Sequence, residues 1–149
     1  MSVKVSGMRN FQTQIRKLGD SFSDAVNNGV FLAANEIRTY AIKSIRTPSP
    51  GKPVKRRSQG GALKNHVAAA PGESPNVDTG KLIESIAVEK SADMTYFVGS
   101  ELKYAKYLEF GTSRMPQPRP WLQPAIRANR NLLIDNIEKA VDLAVKGLK

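Results

Sequence analysis

The segment "YAKYLEFGTSRMPQPRPWLQPAI", residues 104–126, decides the fold, because it links a short helix to a last, longer one. Leu102, Ala105 and Leu108 recur at the spacing of one helical face. Gly111 follows them and suits the left-handed conformation that often comes just past a helix end. The first half of the segment therefore predicts a helix that stops at a glycine.

The second half of the segment is a proline-rich turn. Four prolines between positions 116 and 124 impose an extended, pre-ordered approach to the last helix. Pro124 fits the first turn of that helix, where its missing N–H is not needed. The apolar residues of the helix are expected to share one face: Ile126, Leu133, Ile137, Val141, Ala144 and Leu148.

A long helix is also predicted near the N-terminus, where apolar residues recur every three or four positions. Gly19-Asp20-Ser21 is expected to kink or split it, and Pro48 to end it because Thr47 is pushed toward extended geometry. The apolar positions are Phe11, Ile15, Leu18, Phe22, Val26, Val30, Ala33, Ile37, Ala41 and Ile45.

The middle of the chain contains strand patterns. Residues 86–90 and 94–99 alternate or are rich in β-branched and aromatic residues around a turn, and together they predict a hairpin. Just before them, Asp78 or Thr79 is expected to cap a short helix by accepting hydrogen bonds from its first backbone N–H groups. Apolar side chains such as Leu82 would anchor that helix.

Residues 47–77 are rich in proline, glycine, serine and basic residues and show no sustained periodicity. They are interpreted as an extended arm or loop. The chain as a whole, residues 1–149, has the length of one domain. The predicted fold class is α+β, with the long N-terminal and C-terminal helices packed on a small, mainly antiparallel sheet beside the long basic arm.

Composition limits the chemistry that the chain can perform. The 23 basic and 13 acidic side chains give a net charge of +10, which favours polyanions or acidic proteins as partners. There is no cysteine and only one histidine, His66, which argues against disulfides, thiolate zinc sites and cysteine–histidine or serine–histidine catalysis. No apolar run is long enough to span a bilayer, so no membrane partner, metal or cofactor is predicted.

Two short motifs suggest catalysis or nucleotide binding, and both fail on context. Asp78-Thr79-Gly80 matches the catalytic tripeptide of retroviral-type proteases, but no apolar strand precedes it and a helix-like segment follows. Gly80-Lys81 resembles the end of a phosphate-binding loop, which requires glycine where Pro75 lies and serine or threonine where Leu82 lies. Scattered carboxylates elsewhere are interpreted as surface.

A cluster of basic residues in the arm has two possible interpretations. Residues 37–72 contain no aspartate or glutamate, so the positive charge there is not balanced locally. The cluster either contacts phosphates or an acidic protein, or is simply a solvated arm. The candidate contact residues are Lys52, Lys55, Arg56, Arg57 and Lys64.

Two segments, "VDTGKLIESI" and residues 104–126, resemble the small tail-component family of tailed bacteriophages, the neck or tail-completion proteins of long-tailed, lambda-like phages. Here Gln117-Pro118 lengthens the proline turn relative to the family pattern. The first segment matches at Asp78, Thr79, Gly80, Leu82, Ser85 and Ile86, and the second at Tyr104, Ala105, Glu109, Phe110, Gly111, Thr112, Arg119, Pro120, Trp121, Leu122, Pro124 and Ala125.

The resemblance implies a structural virion protein of the head–tail joint rather than an enzyme. It implies a homo-oligomeric ring around the DNA channel, with six copies expected and twelve as the alternative. A head-completion or connector protein would lie on one side, and a tail terminator or tube protein on the other. The protein would be made in the bacterial host cytoplasm and end in the virion neck. The alternative function is a basic nucleic-acid-binding accessory protein.

Two details of the proline-turn region remain open at this stage. Tyr104, Tyr107, Phe110 and Trp121 cluster around the turn and form either a core junction, the favoured interpretation, or an interface hot spot. A salt bridge from Glu109 to Arg119 across the turn is a further hypothesis.

Overall fold

A computed structural model describes residues 8–57 and 60–146. Its elements alternate between helices and short strands, which confirms the predicted α+β class. In chain order they are α1 (Met8–Arg46), β1 (Gly51–Arg57), β2 (Leu63–Ala69), α2 (Lys81–Ser85), β3 (Ile86–Ala92), β4 (Thr95–Ser100), α3 (Lys103–Phe110) and α4 (Gln123–Lys146).

The N-terminal helix α1 runs without interruption, so it is not split at Gly19, and the predicted stop before Pro48 is confirmed. Just after the helix ends, the backbone N–H and the hydroxyl of Thr47 both donate to the carbonyl of Lys43. Burial is uneven along the helix. Ala41 and Ile45 are buried, whereas Ile15 in the first half is 52% exposed.

The strands form two separate two-stranded antiparallel sheets. The predicted hairpin is confirmed as β3 paired with β4, with an irregularity between Lys90 and Ala92 near its turn. The second sheet, β1 paired with β2, lies inside the segment predicted to be an arm or loop. That prediction is therefore wrong for residues 51–57 and 63–69.

The C-terminal helix α4 packs antiparallel along α1. Its first turn meets Ala41 in the core, and further along Asn136 and Ile137 lie against Gly29. A Cβ atom on Gly29 would come within 3.2 Å of the Asn136 carbonyl oxygen, so the glycine permits the close approach of the two helices. α1, rather than α4, makes the main helix contacts with β3 and β4.

The hydrophobic core lies where four helices and one strand meet, at the C-terminal end of α1. Trp121 fills its centre and is 3% exposed. None of the helices in the described ranges combines the length and apolar character needed to cross a bilayer. The buried residues of the core are Ala41, Ile45, Leu82, Ile86, Ala105, Trp121 and Ala125.

We predict that Gly111→Ala destabilises the fold by about 1–3 kcal/mol, measured by urea unfolding. Gly111 has φ 77° and ψ −177°, a conformation that is almost restricted to glycine. An added Cβ would also lie 2.8 Å from the Met115 carbonyl oxygen.

Gly19→Ala is the matched control. Gly19 lies inside α1 with no atom near the added Cβ, so alanine should stabilise the protein by about 0.5–1 kcal/mol. Equal effects of the two substitutions would contradict the assigned role of Gly111.

Candidate interaction site

A buried carboxylate joins the two halves of the proline-turn segment. Glu109, near the end of α3, is 6% exposed. Its Oε2 accepts hydrogen bonds from the backbone N–H groups of Trp121 (2.8 Å) and Leu122 (2.9 Å), and its Oε1 accepts one from Gln123 (2.8 Å). These donors lie at the start of α4, where backbone N–H groups lack helical partners and the helix dipole favours negative charge.

Trp121 ties α4 to α3 a second time, because its indole Nε1–H donates to the carbonyl of Ala105 at 3.2 Å. Ala105 is buried beneath it. Pro120 precedes this contact, and Pro124 lies within the first turn of α4 as predicted. The family-motif residues of this segment therefore converge on one junction.

The proposed salt bridge from Glu109 to Arg119 is absent from the described residues. The Arg119 guanidinium instead donates from Nε to the carbonyl of Ala69 at 2.7 Å and contacts the Met115 sulfur. Its backbone N–H donates to Leu108. The carboxylate is already occupied by three backbone donors, so Arg119 is free to connect the turn to the end of β2.

Thr112 and Gly111 shape the start of the turn. The backbone N–H of Thr112 donates to the Met115 carbonyl and the Met115 N–H donates back to Thr112, which closes a tight loop. The Thr112 hydroxyl also accepts from the Met115 N–H at 3.0 Å. Gly111 has the positive φ of the predicted left-handed position, but its ψ of −177° lies outside the left-handed helical region.

Asp78 and Thr79 do not cap α2, contrary to prediction. Gly80 occupies the N-cap position in a left-handed conformation, and no side chain caps the helix. Asp78 turns instead toward the hairpin, where its Oδ2 lies 2.7 Å from Nε of Arg56. An ion pair with a nearby arginine thus replaces the expected cap.

The remaining residues of the first motif hold α2 to the β3–β4 hairpin. Leu82 is buried in the core. The Ser85 hydroxyl donates to the Leu82 carbonyl or shares a hydrogen bond with the Ser100 hydroxyl, at 2.8 and 2.7 Å respectively. The Ser100 hydroxyl also accepts from the Leu102 N–H at the start of α3.

The hairpin β1–β2 divides the basic cluster between two faces. Arg56 pairs with Lys64, and Val54 with His66, so these residues share one face. Lys55, opposite Asn65, belongs to the other face. Every residue of β1, including Lys52 and Arg57, is exposed. The pattern has no buried apolar face, which is why the sequence did not predict these strands.

Asn76, which the sequence analysis did not single out, fastens the base of this hairpin. Its Oδ1 accepts from the Ser49 N–H at 2.6 Å, and its Nδ2 donates to the carbonyls of Ser49 and Val67. The amide therefore pairs with backbone on both sides of the hairpin. No periodic pattern marks such a residue in the sequence.

An open cleft of about 1140 Å³ lies between the hairpin, the Asp78–Gly80 segment and helices α2 and α3. Its apolar lining consists of the buried Ile45 and Leu82 and the more accessible Val77, Ile83 and Leu108. Its charged and titratable lining residues are Arg56, Arg57, Lys64, His66, Asp78, Lys81, Tyr104 and Arg119. The cleft thus brings together both family motifs and part of the basic cluster.

Tyr104 lies at the side of this cleft. Burial and, secondarily, the charge of Asp78 raise the pKa of the Tyr104 phenol above its ordinary value. The phenol is therefore a neutral hydrogen-bonding group at neutral pH. It remains 41% exposed, so it is available to a partner.

The four aromatic residues around the turn do not form one core cluster. Only Trp121 is buried, whereas Tyr107 is 46% and Phe110 70% exposed. The favoured core interpretation is therefore confirmed for Trp121 and wrong for the other three. Within the described ranges, no three histidine, cysteine, aspartate or glutamate side chains form a metal-binding group.

Comparison with known protein families gives one match. The family model described as "Bacteriophage HK97-gp10, putative tail-component" matches residues 9–111, well over half of the chain. No curated protein and no solved structure matches the chain. The match includes the basic hairpin, the Asp78–Gly80 segment and α3, but ends before the proline turn.

We predict that Glu109→Gln destabilises the protein by about 2–4 kcal/mol. An amide oxygen can replace one carboxylate oxygen, but the amide NH₂ then faces a backbone N–H, so a buried donor loses its acceptor. Urea unfolding followed by circular dichroism measures the change.

Glu36→Gln provides the control for the Glu109 substitution. Glu36 is exposed on α1, and its replacement should change stability by less than about 0.5 kcal/mol. If both variants unfold at the wild-type midpoint, Glu109 does not hold the junction.

Proposed function

The chain belongs to the HK97-gp10 family of bacteriophage tail components, and from that premise we propose that it is a structural protein of the phage neck. In this role it assembles into a ring that joins the DNA-filled head to the tail and surrounds the DNA channel. Six copies are expected, with twelve as the alternative. The role is architectural, not enzymatic, and its final location is the virion.

The observation that carries this proposal is the exposure of large apolar side chains on several elements. Phe110, a residue of the family motif, is 70% exposed at the end of α3, and Phe97 on β4 is 65% exposed. Leu63 on the hairpin is 66% exposed. Aromatic side chains of this kind are enriched at protein interfaces, where they supply much of the binding energy.

The distribution of these side chains favours a ring over a simple two-fold dimer. They lie on α3, β4 and β2, and in the proposed ring different members of this set contact different neighbours. Contacts between unlike surfaces generate a ring when the rotation closes. Within the neck, a head-completion or connector protein would occupy one side of this ring, and a tail terminator or tube protein the other.

Exposed cations on the hairpin favour a second function, a nucleic-acid-binding accessory protein. Lys52, Lys55 and Arg57 are exposed and have no ion-pair partner among the described residues. Such side chains can contact phosphates. In the proposed ring, the same residues would face DNA in the channel or an acidic protein.

We predict that the isolated protein self-associates weakly and that assembly tightens when its head-side partner is present. Light scattering across a concentration series, with and without the partner, measures the mass. Phe110→Glu should abolish the larger species, because it places a charge in an apolar contact. A strict monomer under all conditions, partner included, would contradict the ring.

Ser113→Glu is the control for assembly. It introduces the same charge at an exposed position close to Phe110 but removes no apolar surface. Assembly should largely survive. Loss of assembly in both variants would indicate a general charge effect rather than an aromatic contact.

We predict that the monomer binds a short DNA duplex only weakly at physiological salt, as measured by fluorescence anisotropy. A dedicated binder would instead bind tightly at low salt and lose affinity steeply as salt rises, by about 0.9 logarithmic units per phosphate contact and per tenfold change in salt. Tight binding that Lys55→Glu weakens would favour the accessory-protein function.

A further inference from the structure

The cleft beneath the hairpin is lined by both basic and apolar side chains. We infer that it binds an acidic peptide segment with apolar side chains, contributed by another protein of the virion. The virion origin of the peptide rests on the proposed function, whereas its chemistry follows from the cleft itself.

The charge of the cleft selects an anionic occupant. Five arginine and lysine side chains line it against a single carboxylate, Asp78. Among the described residues, that carboxylate forms an ion pair with Arg56. Lys64 and Lys81 have no ion-pair partner within the described ranges. Two cations are therefore available to carboxylates from outside.

The apolar lining of the cleft favours a ligand that carries apolar groups as well as negative charge. Val77, Ile83 and Leu108 line the cleft and keep accessible apolar surface beside the cations. The volume of about 1140 Å³ slightly exceeds the range of about 300–1,000 Å³ typical of small-molecule pockets. A segment of polypeptide can fill such a space. Its acidic side chains would pair with the cations of the cleft, and its apolar side chains would pack on the apolar lining.

Duplex DNA fits this cleft less well than a peptide does. Proteins contact DNA phosphates through cations on open surfaces. The aliphatic side chains in this cleft cannot form hydrogen bonds or ion pairs with a duplex. Lys55, on the opposite face of the hairpin, is better placed for contacts with phosphates.

The ion pair between Asp78 and Arg56 links the hairpin to the opposite wall of the cleft. Both side chains are partly exposed, at 32% and 42%, so the pair is accessible to solvent and competitors. An incoming carboxylate can share or replace Asp78 as the partner of Arg56. A ligand bound in the cleft would therefore change the contacts of the hairpin, which forms the other wall.

The test uses the full-length protein and a fluorescent peptide of alternating glutamate and leucine, with binding followed by anisotropy at low salt. We expect Lys64→Glu combined with Lys81→Glu to weaken binding about tenfold, because two attractions become repulsions. Lys17→Glu combined with Lys139→Glu is the matched double charge reversal; both residues are exposed and lie outside the cleft, so the affinity should be unchanged. Circular dichroism checks that each variant is folded.

A second peptide, of alternating glutamate and serine, tests the apolar lining and should bind more weakly than the first. The inference is overturned if the folded wild-type protein does not bind the glutamate–leucine peptide, or if the control double variant weakens binding as much as the cleft double variant. It is also overturned if the serine peptide binds equally well, or if a short DNA duplex displaces the peptide.

The outcomes separate this inference from the proposed function. If the protein assembles with its neck partner but does not bind the peptide, only the inference about the cleft is overturned. If the protein binds the peptide through Lys64 and Lys81 but never assembles, the proposed ring is overturned and the cleft remains a peptide-binding site.

Discussion

The carboxylate of Glu109 is the constraint on which the rest of the structure depends. It is buried, and its two oxygens accept three backbone N–H groups at the start of α4. A buried charge is tolerated only where such donors replace water. The contact fixes where α4 begins and brings Trp121 over Ala105.

The long helices and the β3–β4 hairpin could be predicted because their residues are buried on one side and repeat with the period of the element. The β1–β2 hairpin could not, since its first strand is exposed on both faces and its base is held by the amide of Asn76. At the site, sequence reasoning grouped the correct motif residues but assigned wrong partners to Asp78 and Arg119. Opposite charges near each other in sequence favour a salt bridge, yet backbone donors and acceptors were the actual partners of Glu109 and Arg119.

The two family motifs have different physical roles in this fold. In the second motif, Glu109 and Trp121 are buried and build the junction, while Phe110, next to Glu109 in the sequence, is exposed to solvent. In the first motif, Leu82 is buried and Asp78 reaches out to the hairpin. Each motif thus combines residues that hold the core with residues available to a partner, which is consistent with a protein whose task is assembly.

The continuity of α1 has a consequence for how its length can vary. The helix has 39 residues, which corresponds to a rod of about 58 Å. Its C-terminal half is fixed by the core, so every inserted or deleted residue before that half rotates the outer half by about 100°. The exposed side chains of Ile15 and Phe22 would then point in a different direction. Seven residues make nearly two full turns, so length changes of that size would keep the outer half in phase.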